Sequence, residues 1–239
     1  MNGIFDRVEM LVGSDALEKL KGSSVAVFGI GGVGGYAAEA LVRSGVHSIA
    51  LFDSDTVDIT NVNRQVLATT STVGKDKVWV MKDRLSDINP AAEITARKVF
   101  YLPENADDYD FSNYDYIIDA VDTVAAKINI IERAFKLGVP VISCMGTGGK
   151  LFPERLRVSK IEDTKVCPLA RVMRKELKAR NISGIKVVWS DEEGVKAVNS
   201  TDKKADGKTA PPSMIFVPAA AGLLLAREVV MDIVKGKEK

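Results

Sequence analysis

A glycine-rich stretch, residues 25–35, has the residue types and spacing of a phosphate-binding turn. Gly29, Gly31 and Gly34 follow an apolar, strand-like run in G-x-G-x-x-G spacing. In such a motif one glycine permits the tight turn, one lets the backbone approach phosphate oxygens, and one lets the next helix pack against the strand. Unpaired N–H groups at the start of that helix attract anions. The stretch predicts nucleotide binding, although glycine-rich turns also occur without a ligand.

Polar residues after the second predicted strand indicate which nucleotide chemistry to expect. A helical pattern over 36–43 and a strand over 48–53 place Asp53 at the end of that strand, where a carboxylate can bind ribose hydroxyls. This much fits a nicotinamide-dependent oxidoreductase. Arg64 and Lys77 follow, however, and such an oxidoreductase has no evident use for them there. Two cations beside a phosphate-binding turn instead suit a polyphosphate.

The fourth predicted strand, 114–119, brings carboxylates to the same end of the sheet. Asp119 ends the strand and Asp122 follows it. Ligands of open α/β sheets bind outside the carboxyl ends of the strands. One carboxylate there suits Mg²⁺, which is usually bound by few protein ligands together with phosphate oxygens.

Alternating strand and helix patterns predict an α/β fold with a doubly wound, Rossmann-like, mainly parallel sheet and extra C-terminal strands and a helix. The later predicted elements are helix 78–88, strand 93–99, helix 125–137, strands 139–145, 155–160 and 185–189, and helix 169–179. Residues 146–149 are predicted to form a turn that could also approach substrate. The polar residues 190–212 are predicted to form a mobile excursion.

Together these motifs resemble the ubiquitin-activating-type adenylating superfamily (ThiF/MoeB/HesA). Within it, the chain is most similar to the tRNA threonylcarbamoyladenosine dehydratase branch, from about residue 5 to residue 233 and most weakly across 190–210. The elements that match, in family order, are Gly29-x-Gly31-Gly32-x-Gly34, Asp53-x-Asp55-x-Val57, Asn61-x-Asn63-Arg64-Gln65, Lys77 and Asp119-Ala-Val-Asp122.

The resemblance implies ATP- and Mg²⁺-dependent activation of a carboxylate as an acyl adenylate. In the dehydratase branch this is the threonyl carboxylate of N6-threonylcarbamoyladenosine in tRNA, and attack by its own carbamoyl group closes a ring with loss of AMP. Negative charge builds on the phosphate oxygens in such a reaction, so cations fixed beforehand lower the barrier. No covalent protein nucleophile is needed.

The resemblance also assigns residue roles. It implies that Asp53 holds the ribose, that Arg64 and Lys77 contact the phosphates, and that Asp122 binds or orients Mg²⁺. Arg7 matches an N-terminal arginine that reaches the neighbouring subunit's site in a homodimer, which completes a catalytic set of Arg64, Lys77, Asp122 and Arg7. Other residues expected in the nucleotide site are Gly29, Gly31, Gly32, Gly34, Asp55, Asn61, Gln65 and Lys127. The short polar side chains among them could instead satisfy the backbone of their own loop.

Length and composition fit one large domain. The chain has 239 residues, 46% of them hydrophobic and 27% charged, which suffices for a substantial core. We expect a single ThiF-type adenylating domain, with a nucleotide-binding core at 1–150 and a part facing tRNA and the dimer partner at 151–239. No apolar run approaches the roughly 20 residues needed to span a bilayer, so the cytoplasm is expected; the apolar run 217–226 is predicted to be a buried or dimer-facing helix.

Charge and cysteine content separate the candidate functions further. The net charge is +1, yet residues 150–186 hold eleven Lys or Arg against four Asp or Glu. Such a segment could bind tRNA phosphates or be an ordinary solvated surface. Only Cys144 and Cys167 are present, which excludes a paired C-x-x-C zinc site. Cys167 is expected to be a packing residue, with a covalent relay role left open.

Other functions stay open on sequence alone. An adenylyltransferase for a ubiquitin-like sulfur carrier shares the chemistry, but many such relatives have the zinc cysteines that this chain lacks. A nicotinamide-dependent oxidoreductase leaves Arg64, Lys77 and Asp122 unexplained, and a non-catalytic nucleotide-binding scaffold requires them to be inert. The sequence does not indicate whether a sulfur-transfer or electron-transfer helper protein assists.

Overall fold

The computed structural model of the protein describes residues 3–195 and 211–236. Within these ranges, seven strands form one sheet. They are β1 Ser24–Phe28, β2 Ser48–Asp53, β3 Glu93–Lys98, β4 Tyr116–Asp119, β5 Val141–Cys144, β6 Leu156–Lys160 and β7 Lys186–Ser190. Their order across the sheet is β3-β2-β1-β4-β5-β7-β6. All neighbouring pairs are parallel except β7 with β6, which is antiparallel.

Helices cover both faces of the sheet. They are α1 Asp6–Val12, α2 Ser14–Lys21, α3 Gly34–Arg43, α4 Lys77–Ile88, α5 Val124–Leu137, α6 Pro168–Ala179 and α7 Phe216–Lys235. Short 3₁₀ turns lie at Ile59–Asn61, Pro103–Asp108, Phe111–Asn113, Pro153–Arg155 and Ile161–Asp163. Because the central strands are parallel and helices connect them, the carboxyl ends of β1, β2, β4 and β5 lie along one edge of the sheet.

Strand alternation divides the core between two apolar clusters. In β1, Val25 and Val27 belong to one cluster, while Ala26 and Phe28 belong to the other. Successive side chains of a strand point to opposite faces, so a strand covered on both faces is apolar throughout. The first cluster is covered by α3, α4 and α7, and the second by α5 and α6.

The apolar run 217–226 lies in α7, which packs lengthwise against α3. Val217, Ala221, Leu225 and Val229 recur every four residues and are buried, so they form one face of the helix. In the described part of the chain, no helix is long and apolar enough to cross a membrane.

The predicted fold class is confirmed. The predicted strands, and the predicted helices from 36–43 to 169–179, lie within two residues of the observed ones at each end, whereas α7 continues nine residues beyond the predicted run 217–226, and α1 and α2 were not predicted. The predicted excursion 190–212 needs correction at its two ends. Ser190 is a buried strand residue, and the carboxylate of Glu192 accepts the backbone N–H groups of Leu151 (2.9 Å) and Phe152 (3.1 Å). These contacts fix the chain after β7. Residues 196–210 lie outside the described part of the chain.

Both flanks of residues 196–210 bind one glycine. The backbone N–H of Val195 donates to the carbonyl of Gly149, and the N–H of Gly149 donates to the carbonyl of Pro212, each at 2.6 Å. Gly149 lies in the turn after β5 that the sequence predicted at 146–149. The chain therefore leaves and rejoins the described structure at the same place.

Candidate active site

The turn between β1 and α3 depends on glycine at its first and last positions. Gly29 has φ +86°, and a Cβ on it would lie 2.7 Å from the carbonyl oxygen of Ala120. A Cβ on Gly34 would overlap the carbonyl oxygen of Gly29. At Gly31 the nearest atom to a Cβ would be Nε2 of Gln65, 3.9 Å away. Side chains are thus excluded by protein atoms at the two ends of the turn, whereas the middle leaves space for a ligand.

This turn forms one wall of an open pocket of about 370 Å³ at the carboxyl ends of β1, β2 and β4. One part of the lining is apolar and consists of Phe28, Phe52, Val99, Phe100, Tyr101, Val121 and Ala126. The other part is polar or charged and consists of Asp53, Ser54, Asp55, Asn61, Arg64, Gln65, Lys77, Asp122 and Thr123. An apolar end next to a charged end suits a nucleotide, whose base is flat and apolar and whose phosphates are anionic.

Asp53, at the end of β2, holds the glycine turn. One carboxylate oxygen accepts the backbone N–H of Ile30 at 2.6 Å, and the other accepts that of Asp55 at 2.8 Å. Burial raises the pKa of the Asp53 carboxyl, while the Lys77 charge and the two N–H donors oppose that rise. Each carboxylate oxygen has a second lone pair, so Asp53 can hold the turn and still accept a ligand hydroxyl.

Lys77 reaches the pocket from the first residue of α4. Its Nζ lies 2.7 Å from Oδ2 of Asp55. The lysine side chain is 6% exposed and the aspartate side chain 62% exposed. A buried ammonium group with a solvated partner can change partners, because the carboxylate loses little when water replaces the lysine. Lys77 is therefore a cation available to an incoming phosphate.

Arg64 is held by the 3₁₀ turn that precedes it. Its Nη1 donates to the carbonyl oxygen of Thr60 at 2.7 Å and to Oδ1 of Asn63 at 3.1 Å. Burial lowers the pKa of the half-buried guanidinium, and the nearby charge of Asp58 opposes this. The Asn61 side chain caps the same turn by accepting the N–H of Asp58 at 3.2 Å. The turn thus fixes one cation at the pocket wall.

Gln65 carries a polar atom without a protein partner. The side chain is buried, and its Oε1 makes no hydrogen bond within the described residues. A buried amide oxygen without a partner costs free energy unless a ligand or water supplies a donor. Together with the space beside Gly31, this suits a polar ligand that carries a hydrogen-bond donor, such as a ribose hydroxyl.

The loop after β4 is fixed from beneath by a buried ion pair. The N–H of Val121 donates to Oδ1 of Asp119 at 3.2 Å, and the carbonyl of Val121 accepts from Nζ of Lys127 at 3.1 Å. Lys127 also pairs with Oδ2 of Asp119 at 2.9 Å, with both side chains fully buried. Ser143 Oγ donates to the same oxygen at 2.5 Å. This network sets the backbone that carries Asp122 into the pocket.

A second, wider pocket of about 890 Å³ lies at the opposite edge of the sheet. Its lining includes Lys19, Tyr116 and Asp232. The Tyr116 hydroxyl donates to Asp232 at 2.8 Å, and Lys186 binds the same carboxylate at 2.7 Å. These groups join α7 to the sheet, so they already have structural partners. Arg64 and Lys77, the glycine turn and the carboxyl ends of the strands all belong to the smaller pocket.

Comparison with known proteins places this architecture in a family. Residues 5–236 match the model of the ThiF family. The chain belongs to the ThiF family. This confirms the resemblance that the sequence motifs carry.

Two ThiF-family relatives match nearly the whole chain. The tRNA threonylcarbamoyladenosine dehydratase of Bacillus subtilis (strain 168) is 44% identical over 243 residues, covering 98% of this chain and 96% of that protein. The structure of Escherichia coli tRNA N6-threonylcarbamoyladenosine dehydratase, TcdA, in complex with ATP has a TM-score of 0.87 at 31% identity, covering 97% of this chain and 93% of that one. TcdA has also been solved in complex with AMP.

A third relative matches only part of the chain. Adenylyltransferase and sulfurtransferase UBA4 of Kluyveromyces lactis is 40% identical over 150 residues, which cover 62% of this chain and 33% of that protein. The similarity to the dehydratases thus extends beyond the part shared with this adenylyltransferase.

Most residues that the sequence predicted for the nucleotide site line the pocket. These are Gly29, Gly31, Gly32, Asp53, Asp55, Asn61, Arg64, Gln65, Lys77 and Asp122. Gly34 lies behind the turn, where it allows α3 to approach Gly29. The structure therefore brings the ThiF-family motifs together around one cavity.

Lys127 and Asp119 are placed differently from the expectation. We expected Lys127 to face the nucleotide and Asp119 to stand with Asp122 at the ligand-binding end of β4. Both side chains are instead fully buried against each other, behind the pocket wall. A charge removed from water needs a partner charge, and each supplies it to the other. Neither is among the residues that line the pocket.

Arg7, Asn63 and Cys167 also lie outside the pocket lining of their own subunit. Arg7 is exposed on α1. The Asn63 side chain donates to the carbonyl of Ser213 at 2.9 Å, so it joins the loop to the approach to α7. Cys167 is 2% exposed in the apolar core beside α6, which favours its packing role over the relay role.

The apolar end of the pocket was not predicted from the sequence. Val99, Phe100 and Tyr101 line it directly after β3. Tyr101 is fixed by a 2.7 Å hydrogen bond from its hydroxyl to Asn129, and burial raises its pKa to about 12. The position of these residues at the carboxyl end of a parallel strand could have identified them, because that end faces the ligand.

Proposed function

We propose that this ThiF-family protein is an ATP-dependent tRNA threonylcarbamoyladenosine dehydratase, a tRNA-modifying enzyme that forms an adenylate and closes a ring. The observation that carries this proposal is the match, over nearly the full length of both chains, to a protein of that name. The pocket supports it, since its cations and glycine turn are suited to ATP.

In the proposed reaction the threonyl carboxylate of N6-threonylcarbamoyladenosine attacks the α-phosphorus of ATP. An acyl-phosphate bond forms and pyrophosphate leaves. The carbamoyl group of the same nucleoside then attacks the activated carbonyl, the ring closes, and AMP leaves with the oxygen of the former carboxylate. The nucleoside loses one water overall. No sulfur or electron is transferred, so a sulfur-transfer or electron-transfer helper is not needed for the reaction as written.

The residues of the pocket have different roles in the first step, the formation of the adenylate. Arg64 and Lys77 balance the negative charge that develops on the α-phosphate and the leaving pyrophosphate. Asp53 holds the glycine turn and accepts a ribose hydroxyl. Asp122 would hold Mg²⁺ together with phosphate oxygens, since Mg²⁺ needs few protein ligands. Within the described residues no group of three or more His, Cys, Asp or Glu side chains could hold a metal ion, so phosphate oxygens and water would supply its other ligands.

We further propose that the chain works as one domain with two functional parts in a cytoplasmic homodimer. All pocket-lining residues fall between Phe28 and Ala126, which supports a nucleotide-binding core at 1–150 and a substrate-facing part at 151–239. Arg7 would act in the neighbouring subunit. The exposure of Met10 (87%) and Leu11 (85%) on α1 supports contact of this helix with another chain.

The first test is a direct assay. The protein is incubated with ATP, Mg²⁺ and tRNA that carries N6-threonylcarbamoyladenosine, the tRNA is digested, and mass spectrometry detects a nucleoside lighter by one water. We expect ATP-dependent product, and at least about 10²-fold slower turnover for Arg64→Ala and Asp122→Asn. Intact ATP binding without product would overturn the proposal. Pyrophosphate release with a ubiquitin-like carrier protein would then favour carrier adenylation.

Mixed dimers test the role of Arg7. Arg7→Ala and Lys77→Ala are each expected to be inactive, whereas a mixture that exchanges subunits should recover activity, because one of its two sites then has both residues. The absence of any recovery in subunit-exchanged dimers, or a monomer in solution, would contradict the role of Arg7 across subunits.

A further inference from the structure

The cations of residues 150–186 fall into two groups once their contacts are known. One group is already bound within the protein: Lys150 by the carbonyl of Glu192, Arg155 and Arg157 by Asp191, Arg174 by Thr164, Arg180 by Glu176, and Lys186 by Glu228 and Asp232. The others form no ion pair within the described residues: Lys160, Lys165, Arg171, Lys175 and Lys178. The sequence count of eleven cations therefore overstates the charge that is available to a partner.

Three of the available cations form one surface on α6. Arg171, Lys175 and Lys178 are exposed, and their i, i+4, i+7 spacing places them within an arc of about 60° on the helix. The opposite side of α6 is fixed in the core by Ala170, Met173 and Leu177. We call Arg171, Lys175 and Lys178 the α6 cationic surface.

Acidic neighbours do not cancel the charge of this surface. The only acid of α6 is Glu176, which lies about 100° or more around the helix from the three cations and is bound by Arg180 at 2.8 Å. Glu162, in the preceding 3₁₀ turn, accepts the backbone N–H of Gly184 at 2.8 Å and lines a cavity together with Lys178, so it offsets part of that charge. Within the described residues none of the three cations forms an ion pair, so the α6 cationic surface keeps a net positive charge for an external anion.

The fold brings α6 next to the mouth of the nucleotide pocket. A Cβ on Gly146, just after β5, would lie 3.8 Å from Sγ of Cys167, so α6 starts at the edge of the sheet where the pocket opens. The neighbouring helix α5 begins at Val124, directly after the pocket residues Asp122 and Thr123. Packed helices lie about 8–10 Å apart. From that edge α6 runs antiparallel to the strands, and its far end, at Lys178, lies beside Ile161 and Glu162 at the amino end of β7. Arg171 is therefore the nearest of the three cations to the pocket, and a bulky substrate that places one nucleoside in the pocket can extend along α6.

We propose that the α6 cationic surface binds the phosphate backbone of the RNA stem next to the nucleoside that reacts. The inference rests on the proposed function, since it takes the substrate of this site to be tRNA. From Arg171 to Lys178 the helix rises about 10 Å, comparable with a few nucleotide steps of a duplex strand. The surface would give affinity and orientation without reading sequence, because phosphates carry no base information.

A pair of charge-matched triple variants tests this surface. Arg171→Gln, Lys175→Gln and Lys178→Gln are combined in one variant, and Lys21→Gln, Arg43→Gln and Lys136→Gln in the control. The control cations lie near the ends of α2, α3 and α5 and are 44%, 56% and 69% exposed. Both variants lose the same charge, and glutamine keeps the helix propensity.

Binding to unmodified tRNA is measured over a series of salt concentrations, and turnover is measured separately. For the α6 variant we expect about tenfold weaker tRNA binding at low salt and a salt slope smaller by about 3, which is about 1 for each phosphate contact. ATP affinity and kcat at saturating tRNA should not change. The control should bind like the wild type.

Equal behaviour of the two triple variants would overturn the proposal, as would loss of ATP affinity in the α6 variant. Weaker binding of both single-stranded DNA and anionic vesicles, with tRNA binding unchanged, would assign the surface to another polyanion and also overturn it. Failure of the proposed function gives a different result: tRNA binding that depends on α6, without any dehydrated product from the wild type.

Discussion

Two lysine–aspartate pairs of nearly the same length lie at the nucleotide pocket. Lys77 and Asp55 are 2.7 Å apart and Lys127 and Asp119 are 2.9 Å apart. Their surroundings differ: Asp55 is 62% exposed, whereas Asp119 and Lys127 are fully buried. The first pair faces the ligand, and the second supports the wall from behind.

Exposure of the aspartate decides what each lysine can do. Asp55 is solvated with or without its partner, so Lys77 can move to a phosphate at little cost. Asp119 has no water to replace Lys127, and its oxygens are already used by Ser143 and the N–H of Val121. Breaking a buried pair leaves an uncompensated charge. The two pairs therefore differ in spite of their similar lengths: Lys77–Asp55 is the exchangeable pair and Lys127–Asp119 is the fixed pair.

The largest effect is expected from breaking the fixed pair. Lys127→Met leaves the Asp119 carboxylate buried without its cation, which should lower the free energy of unfolding by about 3–5 kcal/mol. Urea unfolding monitored by circular dichroism measures this as a fall in the midpoint at an unchanged m-value. The double variant Lys127→Met, Asp119→Asn removes both charges and should regain part of the loss. If Lys127→Met lowered the free energy of unfolding by less than about 1 kcal/mol, the buried pair would be no more important to the fold than the exchangeable pair.

Lys77→Met should have the opposite effect to Lys127→Met: it should slow the reaction and leave the stability of the fold nearly unchanged. Loss of a fixed cation at the phosphates should lower kcat/KM by about 10²–10³-fold. The free energy of unfolding should change by less than about 1 kcal/mol, since Asp55 is left in water. Turnover and urea unfolding of the same preparation check both parts. Retained activity would exclude Lys77 from the phosphate site.

Asp55→Asn sharpens the comparison with a smaller effect. The asparagine keeps the shape of the side chain but no longer competes with phosphate for Lys77. Because the aspartate of this pair is solvated, we expect the pair to contribute up to about 1 kcal/mol, so ATP should bind up to about fivefold more tightly, as isothermal titration calorimetry would measure. Weaker ATP binding would instead indicate that Asp55 itself contacts the ligand.

The reactivity of the Cys144 thiol measures how well the fixed pair is shielded from water. It lies at the end of β5, and burial raises its pKa to about 12, with Lys127 opposing and Asp119 adding to the rise. In a Cys167→Ala background, iodoacetamide should therefore not modify the native protein at pH 8 over hours, and urea should expose the thiol. Modification should be faster in Lys127→Met. Rapid labelling of the native wild-type thiol would show that water reaches the fixed pair.

Local pattern was enough to predict the glycine turn, Asp53 and the position of Lys77, because each follows a strand directly or opens a helix. Arg64 lies in a loop eleven residues after β2, and its position was predicted from the family motif that contains it. The placement of Lys127 was wrong, although strand alternation contains the missing information. Asp119 shares a strand face with Ile117, which belongs to the cluster under α5, so its side chain points toward the helix that carries Lys127. Asp119 had been placed only by its position at the end of β4, without regard to the face of the strand on which its side chain lies.

The charge of the later segment could not be predicted from a count of neighbours in sequence. Asp191, Glu228 and Asp232 neutralise cations of residues 150–186, yet all three lie outside that window. Only the pairing of β6 with β7 and the packing of α7 bring them near. The helical spacing of Arg171, Lys175 and Lys178, by contrast, is local and was available from the sequence.

The two hydrogen bonds to Gly149 hold residues 195 and 212 close together, which makes the stretch between them a convenient place for a deletion or an insertion. Two hydrogen bonds of 2.6 Å and the backbone of one residue separate the N–H of Val195 from the carbonyl of Pro212 by at most about 9 Å. A linker of a few residues is long enough to join the two flanks in place of 196–210. Because the ends of many small domains also lie close together, a fluorescent reporter can be spliced in between 195 and 211 without pulling the two flanks apart.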